Sequence, residues 1–307
     1  MRDISASFNF PSGFLWGITL PEQLLYDKES YSLLYRLQEN GIKSAVINVR
    51  WDFYEPVKGN FDEGTIDGIR LLLTRMRSLN IEPIVQINFD AVPSWSNLEK
   101  RTKSENQFSL QFRFAANLAQ ISVSYTNYYI VQNSFESGKI NDFVDQFNLF
   151  AENLHRLSDK TKLGLKISEK LISSHNNPFF RIIARNKNAF LEQMNVDFLG
   201  VKSSQSLPDF LNAVYKNNKE RPQILCYSDM PRNHQDEQKV SIMMDEIYSF
   251  WRLYQEGWPV FCYAVSHEEI KSEKLLSLYA LFSKNNAFYI STQLPGIPEK
   301  WIRFLSE

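Results

Sequence analysis

Gly41-Ile42-Lys43-Ser44-Ala45-Val46-Ile47-Asn48-Val49-Arg50-Trp51 opens the stretch that decides the fold, and Ile81-Glu82-Pro83-Ile84-Val85-Gln86-Ile87-Asn88-Phe89-Asp90-Ala91-Val92-Pro93-Ser94-Trp95 closes it. Ala45 to Val49 is a short, nearly continuous apolar run with β-branched residues. Such a run reads as a strand covered on both faces. Lys58-Gly59-Asn60 marks a loop. Ile66, Ile69, Leu73 and Met76 then recur at three- and four-residue spacing, which lays them on one helical stripe. Asn80 and Pro83 stop that helix, and Ile84 to Ile87 is a second buried strand. A strand–helix–strand crossover of this kind makes its two strands parallel.

The same alternation extends in both directions. Phe14 to Ile18 is the first candidate strand, with a helix over Tyr31 to Glu39 behind it. After the opening unit come a helix over Phe108 to Ser122 and a fourth strand, Tyr128 to Gln132. Ile140 to Leu157 is strongly amphipathic, and Leu163 to Ile167 is strand five. A helix over Phe179 to Gln193 leads to strand six, Asp197 to Val201. Pro208 to Asn217 is a helix with proline in its first turn, before strand seven, Gln223 to Tyr227. A helix over Asp236 to Glu256 precedes strand eight, Pro259 to Val265, and helices over Glu269 to Phe282 and Pro298 to Leu305 follow. Eight strands alternating with helices predict an α/β fold, a (β/α)₈ TIM barrel, with its active site at the C-terminal strand ends. No Gly/Ser/Pro linker divides residues 1–307, so one domain is expected.

Composition agrees with a large core: 43% of the 307 residues are apolar and 14% aromatic. The net charge is -1 with both signs interspersed, and no basic stripe points to nucleic acid. No apolar run is long enough to span a bilayer, and Met1 to Ser5 lacks the apolar core of a signal peptide. A cytoplasmic location is the default expectation, although a protein exported without a cleaved signal reads the same. Cys226 and Cys262 lie in strand-like runs and read as a reduced, packed pair.

Several blocks, in order, resemble family 1 glycoside hydrolases of the β-glucosidase type. Phe10 to Gly17 is similar to that family's N-terminal signature. Trp51 to Pro56 resembles its second-strand segment, Ile81 to Val85 with Val92 to Trp95 its third, and Asp197 to Gly200 its sixth. Leu278 to Phe282 is weakly similar near the end. The resemblance implies a TIM barrel, here with shortened loops, the missing length falling mainly between strands four and seven. It also implies a retaining glycosidase, which needs two carboxyl groups about 5 Å apart. Neither is where the family has it. The acid/base glutamate of strand four falls on Ser134, directly after a matching Asn133, and the nucleophilic glutamate of strand seven falls on Tyr227. A serine hydroxyl does not supply a proton near neutral pH, and a phenol needs an activating base before it accepts a glycosyl group. Residues that hold the sugar are replaced as well, by Leu24, Val46, Phe89, Asp90 and Lys202. Glu273 aligns only loosely with a late sugar-binding glutamate.

The expectation is therefore a catalytically degenerate barrel with a binding or scaffolding role, whose partner is a glycan or a protein. The alternatives are a hydrolase with relocated carboxylates or a tyrosine nucleophile, and a non-catalytic carbohydrate-binding protein. Asp90, Glu136, Glu169, Asp229 and Glu268 stand at or just past strand ends. Glu136 and Asp229 are the leading substitute acids, although solvated rim carboxylates are common. Asn133, Trp51, Asp90, Trp95, Tyr227 and His267 are the candidate binding residues. Trp51, Tyr54, Trp95 and Tyr227 either stack on a sugar or plug the mouth. His155, His175, His234 and His267 have no metal-ligand spacing, so no metal is expected. Ser134 and Ser228 lack an evident His/Asp set. No phosphate-cradling glycine loop occurs, so no nucleotide cofactor is expected.

Overall fold

The strand between Gly41 and Trp51 is built as its composition dictates. β-Branched and apolar side chains on alternate faces are buried both inward and outward, so the segment sits inside a sheet with helices behind it. A computed structural model describes residues 5–25, 30–99, 107–133, 140–167, 191, 193–202, 207–215, 221–228, 234–268, 271–291, 299, 301 and 303. In chain order the elements are β1 (Ser5–Asn9), β2 (Leu15–Thr19), a 3₁₀ turn (Glu22–Leu25), α1 (Ser30–Glu39), β3 (Ser44–Arg50), α2 (Trp51–Tyr54), α3 (Glu63–Ser78) and β4 (Glu82–Asn88). There follow α4 (Ser94–Glu99), α5 (Gln107–Ser122), β5 (Tyr128–Gln132), α6 (Ile140–Leu157), β6 (Lys162–Lys166) and β7 (Phe198–Lys202). The last are α7 (Leu207–Val214), β8 (Gln223–Tyr227), α8 (Asp236–Gln255), β9 (Val260–Ser266), α9 (Glu273–Asn285) and β10 (Ala287–Ser291).

Strands β2 to β9 form a closed barrel in sequence order, every pairing parallel, and β9 returns to β2. This is the predicted (β/α)₈ barrel. The opening unit is its best-paired part, with β3 and β4 in continuous register from Ser44↔Glu82 to Arg50↔Asn88. Helix α3 starts at Asp62, whose carboxylate accepts from the Thr65 amide at 2.7 Å, and it ends where Asn80 takes φ 55°. An N-cap bond and a left-handed terminator are how a helix of this length meets its orphan backbone groups.

The structure adds elements that the sequence does not announce, among them the 3₁₀ turn, α2 and α4. β1 and β10 form an antiparallel pair outside the barrel, Ser5↔Ser291 through Asn9↔Ala287, where no strand was expected. Its anchor is Phe8, which stacks on Phe288 at 5.4 Å and meets Trp251 edge-on at 4.8 Å. The helix expected from Glu269 begins at Glu273. The expected helices at Phe179 to Gln193 and Pro298 to Leu305 lie almost wholly outside the described residues.

Inside the barrel, a separate core consists of Val46, Ile84, Ile130, Phe198, Leu225, Tyr227, Phe261, Cys262 and Ala264, alternate residues of their strands except at Phe261 and Cys262, where the β8–β9 register is irregular. Aromatic rings fill its N-terminal end: Tyr128 stacks on Phe261 at 5.3 Å, and Phe198 meets Phe261 edge-on at 5.3 Å. Gly164 makes room, since a Cβ there would lie 2.4 Å from the Phe198 ring. Cys226 and Cys262 are both buried. They stand on neighbouring strands but on opposite faces, Cys262 inside the barrel and Cys226 in the core beneath the helices. Among the described residues no helix is long and apolar enough to cross a membrane.

Candidate functional site

The mouth of the barrel is made by the inward-facing residues nearest the C-terminal strand ends. Counting by twos from the inner core gives Asn48 on β3, Gln86 on β4, Gln132 on β5, Lys166 on β6, Lys202 on β7 and Tyr227 on β8. Gln86 is only 4% exposed, and its amide donates to Asn48 Oδ1 and Gln132 Oε1, each at 2.9 Å. Lys166 Nζ donates to Gln86 Oε1 and Gln132 Oε1, each at 3.3 Å. Gln132 Nε2 reaches Asp90 Oδ2 at 3.0 Å. On the other side Asn48 donates to Glu22, which also meets Arg50 at 3.4 Å, and Arg50 grips Asp52 through two bonds of 3.0 and 2.6 Å. One chain of side-chain hydrogen bonds thus runs from Asp52 through Arg50, Glu22, Asn48, Gln86 and Gln132 to Asp90. Polar groups sunk this far into a barrel need partners, and these supply one another.

Tyr227 is the floor under this band. It is 6% exposed, and its ring lies below Lys166, with Nζ 4.5 Å from the ring centroid. The ring drops into space left by Gly200, where a Cβ would come within 2.7 Å of Tyr227 Cε2 and 2.4 Å of Ile130 Cδ1. Its hydroxyl is buried and makes no hydrogen bond to the described residues. Burial pushes the phenol well above its ordinary range, and the nearby Cys262 adds to the shift. Cys262 is itself pushed up to about 12, chiefly by burial.

The remaining expected site residues are scattered. Asn133 is half-buried just past β5, and Asp90 is exposed at the mouth beside Gln132. His267 is half-buried beyond β9, its amide donating to Thr19 O at 3.0 Å; burial foremost, then Lys271, holds its imidazole below the ordinary value. Glu268 is exposed beside Lys271, at 2.8 Å. His155 stands at the opposite end of the barrel with Asp197, at 3.2 Å. His234 lies just before α8. Trp51 and Tyr54 neither stack on a ligand at the mouth nor plug it, the two roles the sequence left open for them. Both are fully buried behind β3, where Trp51 meets Trp95 edge-on at 5.6 Å and Tyr54 OH donates to Asn117 at 2.6 Å. Their placement follows from Glu55, a buried carboxylate that accepts from Trp51 Nε1 at 2.9 Å, Gly59 N at 2.8 Å and Arg113. Trp95 is half-buried and donates to the Glu55 carbonyl at 2.8 Å. Ser134, Glu136, Glu169, His175 and Asp229 lie outside the described residues.

Glu22, Asn48, Arg50, Gln86, Gln132 and Lys166 escaped the sequence reading, which inspected loops after the strands. The signal was present: each barrel strand from β3 to β6 is apolar except for inward-parity polar residues, the last of them near its C-terminal end.

No protein-family model matches the chain, and no curated protein matches it in sequence. Solved structures do match in shape. A β-glycosidase from Pyrococcus horikoshii superposes with a TM-score of 0.70 at 12% identity, over 96% of this chain and 100% of the other. A family 1 β-glucosidase from Thermotoga maritima gives 0.67 at 12% identity, over 92% and 99%. β-Glycosidase BGL167 gives 0.67 at 11% identity, over 90% and 97%. At such identities the likeness speaks to architecture alone. The chain has the fold of the family 1 β-glycosidases.

Proposed function

We propose that this chain is a catalytically silent barrel of the β-glycosidase fold, with a binding or scaffolding role at its mouth. The observation that carries the reading is Tyr227. By resemblance it occupies the nucleophile's position, and its hydroxyl is buried against the inner core with a raised pKa. A phenol that stays protonated and shielded is a poor nucleophile toward an anomeric carbon. The mouth groups nearest it are the Gln86 and Gln132 amides and the Lys166 ammonium, engaged with one another, a set suited to holding a polar ligand rather than transferring a proton to it.

The test is incubation with a panel of aryl glycosides of both anomeric configurations. No turnover above the buffer rate is expected. A second reading, hydrolysis by relocated carboxylates, draws support from Glu22 and Asp90 at the mouth. Turnover that Glu22→Gln or Asp90→Asn abolished would establish that reading and overturn the silent barrel.

A further inference from the structure

The hydrogen bonds that start at Lys166 all run one way. Its Nζ donates to Gln86 Oε1 and Gln132 Oε1, each at 3.3 Å. Gln86 Nε2 donates in turn to Asn48 Oδ1 and Gln132 Oε1, each at 2.9 Å. Gln132 Nε2 then donates to Asp90 Oδ2 at 3.0 Å, and Asn48 Nδ2 donates to Glu22 Oε1. The groups at the ends dictate this direction. An ammonium only donates and an ionised carboxylate only accepts, whereas a side-chain amide fits either way round. Gln86 turned over would set its NH₂ against the ammonium and its oxygen against two amide oxygens, losing every bond it makes here. Gln132 turned over would do the same, with its oxygen against the Asp90 carboxylate. Further partners of Lys166 or Asp90 leave the direction unchanged, because a donor-only or acceptor-only group keeps that character whatever else it touches.

We infer that Lys166 is the positioning residue of the mouth, its ammonium setting the direction of a relay that holds Gln86, Gln132 and Asn48 in one orientation. Side chains locked in this way make a pre-organised surface rather than an adaptable one. The relay engages both N–H groups of Gln86 but one each of Asn48 and Gln132. The second N–H of each outer amide meets no acceptor among the described residues, so these two amides keep a donor for an occupant of the mouth. The inference goes beyond the silent-barrel reading and does not depend on it. Side-chain amide hydrogen exchange, followed by NMR on the whole ¹⁵N-labelled protein, is the test. Gln86 is expected to protect both amide hydrogens, and Asn48 and Gln132 one each. Lys166→Met keeps a long stem but donates nothing. It is expected to speed exchange at Gln86 and Gln132 about tenfold, the worth of one charge-assisted bond, while the backbone amides of β3 to β6 keep their protection. Unchanged exchange at both glutamines overturns the inference. So does a loss of protection shared equally by those backbone amides, which would make Lys166 a general support of the barrel. Where Lys166→Met does not fold, the unaltered chain decides alone: side-chain hydrogens of Gln86, Asn48 and Gln132 that all exchange alike rule out the relay. Turnover of an aryl glycoside sinks the silent-barrel reading and leaves the relay standing.

Discussion

Tyr227 is where chemistry and packing meet in a single side chain. Its hydroxyl has no hydrogen-bond partner among the described residues, so it bears a desolvation cost without return. Tyr227→Phe is expected to leave stability unchanged or to raise it by up to about 1 kcal/mol, read from urea midpoints. A loss above roughly 1.5 kcal/mol would mean that the hydroxyl is bonded after all. The same variant addresses mechanism, since an enzyme using this tyrosine as nucleophile would lose all turnover. Gly200 is the complementary residue. With a Cβ 2.4 Å from Ile130 Cδ1 and 2.7 Å from Tyr227 Cε2, Gly200→Ala must displace one of them. A loss of about 1–3 kcal/mol is expected, the usual cost of overpacking. An unchanged urea midpoint would show that the ring does not occupy that space.

At the scale of elements, the 3₁₀ turn Glu22–Leu25 brings Glu22 to the mouth, and helix α3 supports the turn. Gly68 of α3 touches it closely, because a Cβ there would stand 2.2 Å from the Leu25 carbonyl oxygen. Two effects oppose each other in Gly68→Ala. Helix propensity favours alanine by about 1 kcal/mol. Contact with a backbone oxygen, which cannot swing aside as a side chain can, costs about 1–3 kcal/mol. Packing is expected to win, giving a net loss of stability in a urea titration. A gain would show that the turn is not seated on α3, and the anchoring of Glu22 would need another explanation. The turn and its helix are far apart in sequence but adjacent in space, which is why their fit leaves no local pattern.

For the molecule as a whole, pH dependence offers a check on the N-terminal end of the barrel. Glu82 faces inward there, and burial holds its carboxyl above the ordinary value of 4.5 despite Arg77 at 2.8 Å. The folded state therefore keeps this proton to higher pH than the unfolded chain does. Glu82 favours folding most below the unfolded pKa, and that contribution is lost as pH rises through the folded one. Glu82→Gln is accordingly expected to gain stability over the parent at about pH 7, the difference shrinking toward about pH 4. Loss of the pair with half-exposed Arg77 takes back little, because such surface pairs contribute about 0–1 kcal/mol. Urea midpoints at the two pH values read the outcome, and a larger advantage at the acid end would contradict it.

Ala45 to Val49, the Ile66–Met76 stripe and Ile84 to Ile87 were sufficient to read a parallel crossover, because burial on two faces and on one stripe leave different periods in a sequence. Repeating that pattern along the chain was enough to reach the eight-stranded barrel. β1 and β10 were not legible: each is a five-residue strand made stable by a partner at the other end of the chain. The mouth was legible only in part. Tyr227 was found by resemblance, but whether it faced a ligand or the core depended on Gly200 and Ile130, residues of other strands. Trp51 packs away from the mouth because Glu55 and Trp95, not local propensity, hold it there. The sequence by itself determined the period of each element and hence the barrel; only the tertiary structure decided which polar side chains converge, since convergence depends on strand register and parity across elements that no local pattern records.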